Sequence, residues 1–185
     1  MAHSKEYQAE LELLHKKKTF GLNKGKNLKH LLPILEEKDI KTFLDYGAGK
    51  GYLSNTLQKE YPNMQIYKFD PATFPYPLPE KVELTYSSDV LEHIEPHLLD
   101  ETIQDLCNRT TRYQYHLIAC HLSKKSLSDG RNAHLIVENP TWWKNKIEAL
   151  DGWKIIFETI KERHAPVKKG PPRHVVKYIV ILEKV

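Results

Sequence analysis

Phe43-Leu44-Asp45-Tyr46-Gly47-Ala48-Gly49-Lys50-Gly51-Tyr52 joins a short apolar run to a glycine turn and then to a helical pattern. Gly47 and Gly49 can adopt positive φ, and without a Cβ they let other atoms come close to the backbone. Gly51 stands where a helix would begin, and the free N–H groups of a helix start can receive polar ligand atoms. The stretch reads as strand, cofactor turn and helix. Its spacing separates two cofactor classes. A dinucleotide fingerprint needs G-x-G-x-x-G, but Tyr52 holds the place of the third glycine. The pattern present is D-x-G-x-G-x-G, with Asp45 two residues before the first glycine.

Working outward, residues 42–45 form the first strand and residues 52–61 the helix after it, ended by Pro62-Asn63. Gln65-Ile66-Tyr67-Lys68-Phe69-Asp70 reads as a second strand closing on a carboxylate about twenty residues past the turn, where doubly wound folds place a ribose-binding acid. Asp70-Pro71 is also a natural turn opener. Residues 71–88 contain Pro71, Pro75, Pro77 and Pro79, a spacing through which no helix can run. The next strand is expected at 82–87, a helix from Asp89 to about Arg109, and a strand at 113–122. A polar loop at 123–133 and a helix at 142–150 follow. Residues 153–160 and 175–182 are β-branched runs with no helix between them, hence an antiparallel hairpin. Two helices precede the first strand, at 7–17 and 28–37, the second broken or bent at Pro33. The expectation is one α/β domain over residues 1–185, a helical cap at 1–40 on a core at 41–185.

The glycine pattern with its leading acid resembles motif I of the class I S-adenosylmethionine (SAM) dependent methyltransferases, and the resemblance runs from about Thr42 to Val185. It implies a Rossmann-like, mostly parallel sheet ending in an antiparallel hairpin, here with the third-strand region reduced to the proline-rich connection. It implies SAM as cofactor, held by Asp45, Gly47, Ala48, Gly49, Asp70, Pro71, Ser88 and Asp89. Methylation of oxygen on a small molecule or saccharide is the expected activity. RNA 2′-O-methylation with a divalent metal, or a catalytically inactive SAM-binding interaction module, are the alternatives.

Ser87-Ser88-Asp89-Val90-Leu91-Glu92-His93-Ile94 is the second informative segment. On a helix, Asp89, Glu92 and His93 would share one face; Asp89 as N-cap with Glu92 three residues on would also make a capping box. The D-V-L-E-H string is similar to one found beside the SAM methyl group in class I methyltransferases. Joined by His134, these side chains supply oxygen and nitrogen ligands suited to Mg²⁺, Mn²⁺ or Zn²⁺. That set resembles the metal site of the small-RNA 3′-terminal 2′-O-methyltransferases, with Asp89 in place of the usual first Glu. Without a metal, His93 is the candidate general base, since imidazole titrates near neutral pH. Arg131, in Asp129-Gly130-Arg131-Asn132-Ala133-His134, is a candidate clamp for a carboxylate or phosphate, and Asn132 a candidate for orienting a hydroxyl. An ordinary turn accounts for the same residues. Trp142 and Trp143 could wall a pocket or fill the core.

At 185 residues and 40% hydrophobic, the chain can bury a single core. It has no apolar run of membrane-spanning length and no signal-peptide core at its start, so a soluble, cytoplasmic protein is expected. Cys107 and Cys120 imply neither a disulfide framework nor a thiolate zinc site. The net charge of +4 is modest, but basic residues gather at Lys16-Lys17-Lys18, Lys24, Lys26 and Lys29, and again at Lys161, Arg163, Lys168, Lys169 and Arg173 with His164 and His174. They are either solvated surface or attractors of an anionic substrate. Nothing points to an obligate protein partner.

Overall fold

The computed structural model describes residues 3–23, 25, 28–166 and 171–185. Lys24, Lys26, Lys168 and Lys169, named above as basic residues, lie outside them. The described elements run α1 (Lys5–His15), α2 (Leu32–Glu37), β1 (Thr42–Tyr46), α3 (Tyr52–Glu60), β2 (Gln65–Phe69), β3 (Val82–Ser88), α4 (Leu99–Arg109), β4 (Thr110–Ala119), α5 (Pro140–Glu148), β5 (Trp153–Ala165) and β6 (Arg173–Lys184). Single 3₁₀ turns occur at Leu28–His30, Leu91–His93 and Pro96–Leu98.

The six strands form one sheet in the order β2-β1-β3-β4-β6-β5. β2, β1, β3 and β4 run parallel to one another, and β6 is antiparallel to both β4 and β5. The mostly parallel sheet, the closing hairpin and the reduced third-strand region are all as expected. Period-two alternation divides the core between the two faces of the sheet. Leu44, Tyr46, Ile118 and Val180 pack with Leu99, Ile103 and Leu106 of α4 and with Trp143 and Ile147 of α5. Phe43, Leu84, Tyr115 and Ile179 pack with Ile34 and Leu35 of α2 and Leu53 and Leu57 of α3. Trp143 is therefore core, fully buried. A third cluster joins Tyr7, Leu11 and Leu14 of α1 to Leu127 and Ala133 in the segment after β4. Here the i, i+4, i+7 stripe of α1 lands on the loops at the carboxyl edge of the sheet.

Two expected helices differ in form. Pro33 stands in the first turn of α2 rather than bending a longer helix, and the preceding residues form a separate turn. The helix expected from Asp89 to Arg109 starts only at Leu99. Pro96 has no N–H to give and forces Glu95 into an extended conformation, φ −61° and ψ 130°. Asp89 itself sits at φ 55°, outside any right-handed helix. The Asp89–Glu92 capping box and the shared helical face are therefore absent.

Candidate active site

The carboxyl ends of β1, β2 and β3 open onto a cavity of about 530 Å³, within the usual range for small-ligand pockets. Gly47, Gly49, Asp70, Pro71, Ser88, Asp89 and His93 line it, with Tyr46, Phe69, Val90 and Ile94 as apolar wall. Its remaining lining comes from the N-terminal segment: His3, Tyr7, Leu11, His15, Phe20, Gly21, Leu22 and Asn23. Sequence reading missed this roof. The apolar stripe of α1 signalled that the helix covers something, but not what.

The glycine turn is held by the protein itself. Phe69 O accepts from Gly47 N at 2.8 Å and from Ala48 N at 2.9 Å, Gly21 O accepts from Lys50 N at 2.9 Å, and Ala48 O accepts from Gly51 N at 2.8 Å. Gly49 N donates to Asp70 Oδ2 at 3.0 Å. These five N–H groups are engaged within the protein, that of Gly51 at the helix start among them. Asp70 Oδ1 also accepts from Ala72 N at 3.0 Å, so the Asx turn forms while the carboxylate lines the cavity. His15 Nε2 lies 3.8 Å from the same Oδ1.

Asp45 and Ala48 are buried and do not line the cavity. Ser54 Oγ donates to Asp45 Oδ2 at 2.5 Å. Burial drives the Asp45 carboxyl up to about 6, against the pull of the Ser54 hydrogen bond. A carboxyl whose pKa is raised by folding stabilises the native state most below its unfolded value, and that contribution is lost as pH rises through about 6. Between pH 4 and pH 7 the wild type should thus lose about 2.4 kcal/mol that Asp45→Asn does not. Urea unfolding of both proteins at the two pH values measures the difference; parallel pH profiles would remove Asp45 as its source.

Beyond the cavity wall, Glu92, His93 and His134 each bring one ligand atom within 4.8 Å of the others. Glu92 Oε1 accepts from Ala119 N at 3.1 Å, while Glu92 Oε2 and His93 Nδ1 are buried without a hydrogen-bond partner. His134 Nδ1 meets His121 O at 2.5 Å, which fixes that proton and leaves Nε2 as the lone-pair nitrogen. Burial, then Asp89, holds the Glu92 carboxyl well above the usual carboxylate range. Burial, then His134, pushes His93 down to about 4. Two orphaned polar atoms inside an acid–imidazole cluster are the donor set a divalent cation takes. Asp89 is not part of it: Lys177 Nζ donates to both its oxygens, at 2.6 and 2.7 Å. Lys177 stands 88 residues away in sequence, and no local signal could have found it.

Arg131 lines no described cavity. It pairs with Asp129 at 2.6 Å in an exposed turn. Asn132 Oδ1 accepts from Ser123 N and His134 N, both at 2.9 Å. The local turn thus claims both residues, and Asn132 helps place His134. Of the C-terminal basic residues, Lys161, Arg163, His164, Arg173 and His174 lie on β5 and β6 rather than in a loop, and none lines the cavity.

Comparison with family profiles gives no match, and comparison with curated proteins gives none either. Solved structures do match. The Burkholderia thailandensis 1,6-didemethyltoxoflavin-N1-methyltransferase, with bound 1,6-didemethyltoxoflavin and S-adenosylhomocysteine, superposes at TM-score 0.58 and 12% identity, covering 100% of this chain and 91% of that one. The DhpI–SAH complex gives 0.50 and 13%, covering 94% and 92%. The mitomycin 7-O-methyltransferase MmcR gives 0.52 and 11%, with 97% of this chain spanning 54% of that one. At these identities the likeness is one of backbone, and with the sheet order and the glycine turn it establishes that this chain has the Rossmann-like fold of the class I SAM-dependent methyltransferases.

Proposed function

We propose that the protein is a SAM-dependent methyltransferase acting on an oxygen of a small molecule or saccharide. The observation that carries the reading is one cavity with the glycine turn and Asp70 at its base and Asp89 and His93 among its walls, backed by the Glu92–His93–His134 cluster. Methyl transfer is an in-line displacement. The acceptor oxygen attacks the methyl carbon, the carbon–sulfur bond breaks, and the hydroxyl proton must leave. The protein contributes placement and a route for that proton. Neutral and half-buried at the cavity wall, His93 has a lone-pair nitrogen that can take up a proton.

Glu92, His93 and His134 would hold a divalent ion, which when bound would polarise the acceptor hydroxyl and ease its ionisation. RNA 2′-O-methylation with the same ion is the second reading, favoured by the carboxylate–imidazole cluster itself.

Calorimetry with SAM, its demethylated product and NAD tests the cofactor. SAM and product should bind and NAD should bind poorly, because the third dinucleotide glycine is replaced by Tyr52. Tighter binding of NAD than of SAM would sink the assignment. Labelled-methyl transfer from SAM to hydroxylated small molecules, saccharides and RNA then tests the acceptor, and SAM binding without any turnover would favour the interaction module.

A further inference from the structure

We infer that Lys17, Lys50 and Lys125 form a phosphate-binding site, and that an anion bound there clamps the N-terminal segment over the cavity. The second half rests on reading the cavity as the cofactor site.

The three lysines come from separate stretches: the turn after α1, the glycine turn, and the loop after β4. Lys50 Nζ lies 3.3 Å from Lys17 O and 3.5 Å from Lys18 O. Lys125 Nζ donates to Thr19 Oγ1 at 3.0 Å and stands 5.2 Å from the centre of the Phe20 ring. Two ammonium groups from distant parts of the chain are thus fixed on the same short turn, residues 17–20, with Lys17 beside them. Among the described residues, none of the three pairs with a carboxylate. Burial and the charges of Lys17 and Lys50 pull the Lys125 ammonium below its usual range. Like charges gathered without a counterion repel one another, and an anion accepting from them removes that repulsion while adding charge-assisted hydrogen bonds. A carboxylate would leave most of three charges uncompensated. A phosphate or pyrophosphate, with more charge and several oxygens, matches them better.

The place of the cluster gives it a consequence. Lys50 directly follows Gly49 of the cavity lining, while Phe20 and Gly21, three and four residues past Lys17, belong to its roof. Roof and floor already touch, since Gly21 O accepts from Lys50 N. Phe20 also makes edge contacts with His15 at 4.8 Å and with His93 at 6.1 Å. An anion bridging the lysines ties roof to floor at this seam. By linkage, an anion and a cofactor that both prefer the closed form tighten each other's binding by the same factor.

Calorimetry decides it, with pyrophosphate as the anion and ionic strength held constant. Pyrophosphate should bind the cofactor-free protein, and should tighten S-adenosylhomocysteine binding about fivefold or more. In the double variant Lys17→Ser/Lys125→Ser, pyrophosphate binding should weaken at least about tenfold and the tightening should vanish, while S-adenosylhomocysteine binding without pyrophosphate is retained. Circular dichroism checks folding, and Lys125→Gln alone serves if the double variant is unfolded. Equal pyrophosphate affinity in wild type and variant overturns the site. Unchanged cofactor affinity with pyrophosphate bound overturns the clamp. If S-adenosylhomocysteine does not bind at all, the cofactor reading and the clamp fall together, yet the pyrophosphate titration still decides the lysine site. A sugar phosphate and a short single-stranded RNA, compared in place of pyrophosphate, separate the two sources of the group, because only the RNA should show a steep salt dependence.

Discussion

Gly49→Val is expected to abolish cofactor binding and to destabilise the fold by about 3 kcal/mol or more. Gly49 sits at φ +57°, a region costly for any side chain and most costly for a β-branched one. A Cβ there would lie 2.5 Å from Gly21 O and 2.8 Å from Gly21 Cα. Both are backbone atoms, so no rotamer change relieves the clash and the roof must lift. Gly49 N would move with it and release Asp70, the acid at the base of the cavity. S-adenosylhomocysteine binding should fall at least about 100-fold, roughly 2.7 kcal/mol. Gly152→Ala is the control. It has φ +75° but open space around the added Cβ, so it should cost about 1 kcal/mol and leave binding intact. Normal binding by Gly49→Val would mean that the seam between Gly21 and Gly49 does not shape the cofactor site.

The same glycine shows what sequence could and could not reveal. The need for a residue without a side chain at position 49 was legible, because a glycine turn after a strand has few other uses. The sequence pattern suggested that a ligand approaches the turn there; what it did not carry is that Gly21, 28 residues earlier, also packs against Gly49. Glycine and proline punctuation located the strands, the closing hairpin and the reduced third-strand region well, since those residues act locally. The helix expected from Asp89 fails for a reason that is also local: Pro96 stands inside it and permits a helix only from Leu99 onward. Asp45 illustrates the other kind of miss. Its type and position matched a ligand-facing acid, but its partner is Ser54 on the following helix and it is buried. Burial is a property of the assembled sheet, and a single strand of sequence does not carry it. Likewise Arg131 offered plausible ligand chemistry, while the adjacent Asp129 offered it a nearer partner. Where local and distant partners compete for an exposed side chain, the local one pays less entropy.

The cluster behind His93 yields the remaining large effect, and its sign depends on whether an ion is bound. Glu92 is fully buried with one oxygen unpartnered, and His93 Nδ1 is unpartnered as well. In metal-free protein, Glu92→Gln should therefore be neutral or stabilising, because an amide replaces a carboxyl that is costly to ionise there. With Mn²⁺ or Zn²⁺ added at about a hundredfold excess over its dissociation constant, the wild type should gain about 2.7 kcal/mol, and Glu92→Gln or His134→Ala should gain almost none. Asp89→Asn should keep the gain, because Lys177 and not the cluster holds Asp89. Thermal unfolding with and without metal reads all four proteins without any knowledge of the acceptor. Once an acceptor is found, chelator should lower methyl transfer at least about 100-fold and the divalent ion should restore it. Unchanged turnover in excess chelator, with no thermal shift on adding metal, would leave Glu92, His93 and His134 as a buried structural cluster and His93 as the remaining acceptor for the substrate proton. In that case His93→Ala alone should slow transfer by about 100-fold or more while leaving S-adenosylhomocysteine affinity in place.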